Sequence, residues 1–171
     1  MNLLPQDVVV LIKLKLLNND AWTYNSIAYE LMLSSSMVHS AIKRCTNAGL
    51  FVLQKRRPNN RALEEYLIHG VKYSFSPTLG TITRGIPTAF ASPLLKEELS
   101  HNDSQPYVWM HPEGSQLGIS VEPMYKSLPA ATLKDPLLYK ALSALDGIRI
   151  GEAREKKIAI EKLLSFIKSP S

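Results

Sequence analysis

The chain has 171 residues, 45% hydrophobic and 20% charged, which is enough apolar mass for a real core and excludes an intrinsically disordered chain. Its single cysteine, Cys45, excludes an internal disulfide framework and suits a reducing compartment. The net charge of +5 lies wholly in residues 1–61, where eight basic side chains face three acidic ones, while residues 62–171 carry twelve of each. Such an asymmetry directs the first third of the chain toward a polyanion.

In chain order, the opening MNLLPQDVVVLIKLKLL is broken by Pro5, Asp7, Lys13 and Lys15, and no small-residue cleavage site follows. It predicts a helix over roughly 5–18, ended by NND, and neither a signal peptide nor a membrane span. In WTYNSIAYEL, Thr23 is placed as an N-cap, and Tyr24, Ile27, Ala28 and Leu31 fall on one helical face. Trp22 and Ile27 have the spacing of a hydrophobic staple. Ser34 caps a third helix, with Leu33 and Val38 repeating the staple and Gly49 as its left-handed stop. The apolar stripe of that helix is Val38, Ala41, Ile42, Cys45 and Ala48. Its opposite stripe, Ser36, His39, Ser40, Lys43 and Asn47, is polar throughout, with Ser35 and Arg44 at the margins. LFVLQ then reads as a short strand, KRRPNNR as a basic turn, and ALEEYLIHG as a fourth helix capped by Asn60 and stopped by Gly70.

Seven of the eleven prolines fall between Ser74 and Ala130, where SPTLGTITRGIPTAFASPLL shows no sustained period. An extended arm is predicted there. Within it, strands near 107–111 and 116–121 around Pro112-Glu113-Gly114 would form a hairpin. From Asp135 two helices are expected, separated by Gly147 and Gly151. The fold class is therefore mainly α with small β elements. Three segments are expected: residues 1–73, which hold the helix-turn-helix, 74–130, the Pro-rich arm, and 131–171, a C-terminal helical pair for dimerisation or partner binding.

Two short helices and a tight turn, with small polar groups on the front of the second, match what the DNA major groove requires. Bulk would keep the backbone away from the groove floor. Ser35, Ser36, Ser40, His39 and Asn47 can exchange hydrogen bonds with base edges, and Lys43 suits guanine acceptors or a phosphate. Lys55, Arg56, Arg57, Asn60 and Arg61 would reach phosphates or a minor groove beside it. Catalysis is not expected: there is no G-x-S-x-G, phosphate loop or H-E-x-x-H. His69, His101 and His111 lack metal-ligand spacing, so no metal or cofactor is expected, and Cys45 reads as a small buried hydrophobe.

Residues 23–56, TYNSIAYELMLSSSMVHSAIKRCTNAGLFVLQKR, resemble the helix-turn-helix of MarR-like and related winged-helix transcription regulators, a resemblance limited to about residues 5–61. It is carried by Thr23, Ile27, Ala28, Leu31, Leu33, Ser34, Ser36, Val38, Ala41, Ile42, Lys43, Arg44, Ala48, Gly49 and Leu50. The resemblance implies groove contacts at Ser35, Ser36, His39, Ser40 and Lys43 and a phosphate contact at Arg44. Met32 stands where such turns commonly have glycine, which predicts a wider turn, and the helix after KRRPNNR predicts a bare basic loop as the wing. The expected function is a sequence-specific double-stranded DNA-binding transcriptional regulator, a repressor acting as a homodimer in a bacterial or archaeal cytoplasm. The alternative is an antitoxin-like or adaptor protein whose residues 74–171 hold a protein partner. An RNA binder is disfavoured, because clustered aromatics for base stacking are missing.

Overall fold

The apolar run that begins at Pro5 forms helix α1 (Pro5–Leu16) in the computed structural model, which describes residues 2–18, 21–99 and 105–167. Pro5 lacks a donor that the first turn does not need, and Asp7 accepts from the Leu4 amide at 2.8 Å. Val8 to Ile12 are sealed from solvent, so α1 is a core helix, apolar nearly all round. Helix α2 (Tyr24–Leu31) starts at Thr23, whose hydroxyl accepts from the Ser26 amide while Ser26 Oγ accepts from the Thr23 amide, both at 2.9 Å. Helix α3 (Ser35–Asn47) starts at Ser34, which accepts from the Met37 amide at 3.1 Å. At its end Gly49 takes φ +80°, its amide donates to Thr46, and the Leu50 amide donates to Cys45. These are the paired bonds of a Schellman stop. Val38, Ala41, Ile42 and Cys45 are buried as expected, whereas Ala48, at the cap, is exposed.

Only Met32, Leu33 and Ser34 separate α2 from α3. The turn is tight, not widened, because Met32 itself takes the left-handed conformation (φ +57°, ψ +41°), at a cost of roughly 1 kcal/mol relative to glycine. Beyond Gly49 the expected bare loop is a minimal hairpin. Strands β1 (Phe51–Val52) and β2 (Arg57–Pro58) pair antiparallel around a 3-10 turn at Leu53–Lys55, and the chain reverses where Arg56 takes φ +51°. Helix α4 (Asn60–His69) is capped by Asn59 rather than Asn60, since the Asn59 side chain accepts from the Ala62 amide. A single turn, α5 (Val71–Ser74), follows Gly70.

The expected arm is folded. Strand β3 (Leu79–Thr88) pairs antiparallel with β4 (Tyr107–Met110) over Gly85–Thr88 and with β5 (Gln116–Val121) over Leu79–Gly85. Strands β4 and β5 do not make the expected hairpin: they touch in parallel, at Tyr107–Val108 against Ile119–Ser120, and so close a three-stranded barrel. The turn between them crosses β3 so closely that a Cβ on Gly114 would lie 2.2 Å from the Gly85 backbone. Two glycines meet there because no side chain fits.

Helix α6 (Leu128–Leu133) precedes α7 (Pro136–Ile150), capped by Asp135, which accepts from the Leu138 amide at 3.1 Å. Helix α8 (Ala153–Ile167) follows. Gly147 is not a break: α7 runs through it, and a Cβ there would meet the Ala159 side chain at 2.9 Å, so glycine lets α8 pack closely. Helix α7 is buried from Ala141 to Arg149 and is surrounded by α1, α4, α5, α6, α8 and β3. It lies at the centre of the chain's own core. Helix α8 turns Arg154, Lys157, Glu161 and Ser165 outward, a polar face that lacks an apolar stripe. One buried cluster extends from Val8 to Ile167, so the three expected segments share a core. Asn19 and Asp20 of the expected helix stop, and His101, lie outside the described residues. No helix among the described residues is long and apolar enough to cross a membrane.

Candidate nucleic-acid interface

The burial of Val38, Ala41, Ile42 and Cys45 fixes the roll of α3 and thereby turns its polar stripe outward. Ser36, His39, Ser40, Lys43 and Asn47 are exposed, and Ser35 is half-buried. A groove of about 390 Å³ runs between α3 and the hairpin, lined by Tyr24, His39, Ser40, Lys43, Asn47 and Leu53 among others. Lys55, Arg56, Arg57, Asn60 and Arg61 are exposed on the hairpin and the start of α4.

An aromatic ladder positions these groups. The His39 ring stacks on Tyr24, with centroids 3.6 Å apart and planes 14° from parallel. Tyr24 meets Trp22 edge-on at 5.6 Å, and the Arg56 guanidinium lies 4.3 Å over the Trp22 ring. Trp22 Nε1 donates to the Arg56 carbonyl at 3.3 Å, and Arg56 Nη2 donates to the Trp22 carbonyl at 3.2 Å. The hairpin is thus fastened to the entry of α2. Sequence spacing gave Trp22 and Tyr24 only packing roles. Their second role arises from stacking across the turn, which no periodicity encodes.

Lys15 was also missed. Burial, and then the charge of Arg57, hold its pKa below the usual lysine value, and α1 packs against the strand that carries Arg57.

Arg44 is oriented otherwise. Its Nε and Nη2 donate to Asp7 Oδ2 at 2.7 Å and Oδ1 at 2.9 Å, and Asp7 is sealed from solvent. The bidentate hydrogen bonding raises the guanidinium pKa and ties α3 to α1. Arg44 is therefore engaged within the fold instead of being free for the expected phosphate contact. Next to it, burial pushes the Cys45 thiol up to about 12, which leaves it without thiolate reactivity near neutral pH.

The stripe is open along its length, but the turn before it is held from behind. The Tyr125 hydroxyl donates to the Leu31 carbonyl at 2.8 Å, and Ser127 Oγ donates to the Met32 carbonyl at 3.0 Å. The segment leading into α6 thus satisfies acceptors that the end of α2 would leave unpaired.

No protein-family model, curated protein or solved structure matches this chain.

Proposed function

We propose that the protein is a sequence-specific double-stranded DNA-binding transcriptional regulator of the winged-helix, MarR-like kind, a repressor that reads the major groove with α3. The observation that carries this reading is the open stripe Ser36, His39, Ser40, Lys43 and Asn47 lying beside a basic hairpin while the reverse side of α3 is locked. In this reading the serines admit the backbone to the groove, and Lys43, His39 and Asn47 meet base edges, each well-made bidentate contact contributing about 1–3 kcal/mol of discrimination. The free amides at the start of α3 take a phosphate oxygen. Lys55, Arg57 and Arg61 follow the phosphates, with Arg56 held over Trp22 to set the angle of the hairpin. The Asp7–Arg44 pair keeps α3 from rolling, so little ordering remains to be done on binding. Occupying a promoter in this way blocks transcription.

The experiment is selection from random duplexes, followed by fluorescence anisotropy over a salt series. An enriched motif is expected. Lys43→Ala and His39→Ala should flatten the preference, while Lys55→Ala and Arg57→Ala should each weaken all duplexes alike and lower the salt slope by about 1. Binding that ignores sequence in the wild type, or a preference unchanged by both helix substitutions, overturns the reading.

A further inference from the structure

Strand β3 is longer than its neighbour. Gly85–Thr88 have β4 beside them, whereas Leu79–Thr83 are paired with β5 alone among the described residues. The turn after β4 adds one further bond, from the His111 amide to the Arg84 carbonyl at 3.2 Å. The first half of β3 is therefore a sheet edge, with backbone groups directed outward. Protein edges are usually guarded by lysine, proline or a bulge that twists them away. The stretch LGTIT has no charge and no proline; an irregularity in register between Leu79 and Ile82 is its one guard. Its surroundings are apolar: Leu79 is 48% exposed, Ile82 54%, Met110 70% and Leu117 56%. Where β4 stops, a groove of about 580 Å³ opens, bordered by Gly80, Met110, Val121 and Met124. An added strand would have backbone partners on β3 and apolar space for its side chains.

We propose that a second copy of this chain occupies the edge, the two β3 strands pairing antiparallel about a two-fold axis near Ile82. An antiparallel edge is self-complementary: one register satisfies both copies, and the pair then closes. With Ile82 on the axis, Thr81 comes opposite the partner's Thr83 and Arg84 opposite the partner's Gly80, so no like charges meet. Charge also favours a second copy. Arg84 lies at one end of the exposed stretch, and Glu122, which follows β5 and whose amide donates to the Thr78 carbonyl at 2.9 Å, lies one strand behind its other end. Antiparallel pairing sets each basic end toward the acidic end of the other copy. Neither α3 nor the β1–β2 hairpin takes part, so the seam stands apart from the DNA-binding reading while supplying the two-fold symmetry that a near-palindromic site requires.

The test is the mass of the full-length protein in solution without DNA, by light scattering after size exclusion. Twice the 19.1 kDa chain mass is expected. Ile82→Lys and Ile82→Glu each place like charges at the axis and are expected to be monomeric with native circular dichroism. Mixed in equal amounts, they should regain the dimer. Lys157→Glu, on the outward face of α8, should leave the wild-type dimer intact. If either charged variant fails to fold, Ile82→Cys serves instead: mild oxidation should link two chains covalently, since the buried Cys45 does not compete. A monomeric wild type, a dimer that survives both edge substitutions, a mixture that stays monomeric, or a cysteine variant that does not cross-link overturns the seam. Because no arm contains DNA, a failed seam leaves the α3 reading standing, and a failed duplex selection leaves the seam standing.

Discussion

Two buried carboxylates fasten this molecule, one beneath α3 and one beneath the barrel, and their surroundings differ. Asp7 receives Arg44 where α1 and α3 already pack through Val8–Ile12, Val38 and Ile42. Asp146, on α7, accepts from Thr88, Trp109 and Arg149, each at 2.8 Å, and Arg149 also donates to the Phe75 carbonyl at 2.8 Å. Burial pushes the Asp146 carboxyl upward, and the charge of Arg149, with these donors, pulls against it. The Tyr139 hydroxyl adds a bond to the Pro87 carbonyl at 2.5 Å. Under α3, aliphatic packing supplies cohesion and the ion pair sets an angle. A three-stranded barrel encloses little apolar volume, so its attachment to α7 relies on the polar network.

Four substitutions and one titration probe that contrast. Asp146→Ala is expected to do the most damage: it strands Arg149, 4% exposed, and removes the acceptor of Thr88 and Trp109, a loss of about 3–5 kcal/mol in urea denaturation. Asp7→Ala should lose less, about 2–3 kcal/mol, since the Arg44 side chain, 11% exposed, sits nearer to water and can turn outward. The reverse order of these two midpoints would falsify the contrast. Tyr139→Phe removes one hydroxyl bond to the barrel and should lower stability by about 1 kcal/mol in the same assay. Met32→Gly relieves the left-handed turn and should raise stability by about 0.5–1 kcal/mol without shifting the circular dichroism spectrum. The smallest effect is that of Cys45. Its folded pKa lies above the unfolded one, so the contribution is complete below the ordinary thiol range and fades only as pH rises from there toward about 12. Denaturation midpoints compared with Cys45→Ala between neutral and alkaline pH check the sign, and a thiol reagent at neutral pH should label the wild type only after unfolding.

The helical half was legible because its signals are local. Thr23 and Ser34 each cap within three residues, the Gly49 and Leu50 amides stop α3 through bonds to Thr46 and Cys45, and the stripe from Ser36 to Asn47 needs only helical spacing. Strand β3 was hidden because Gly80, Gly85 and Pro87 interrupt its alternation and because β5, its long partner, begins at Gln116. The β1 and β2 strands, two residues each, are too short to carry a period. Gly147 resembled a break until Ala159, from the next helix, accounted for it. Arg44 sits at the margin between the two stripes, and only Asp7, 37 residues earlier, decides which way it turns. The polar face could therefore be read from sequence, whereas Tyr24 beneath His39 and Trp22 beneath Arg56 could not, since through-space stacking leaves no mark on spacing.

Helix α7 lies in the middle of the core but near the end of the chain. A nascent polypeptide leaving the ribosome therefore presents the valines of α1 long before the helix that covers them has been made. The part of α1 that faces α7 stays wet, and within reach of chaperones, until Ile150 has emerged, whereas the part that faces α3 can be covered earlier. The core on which the α3 face rests is thus completed only after α7 has followed α3 out of the ribosome.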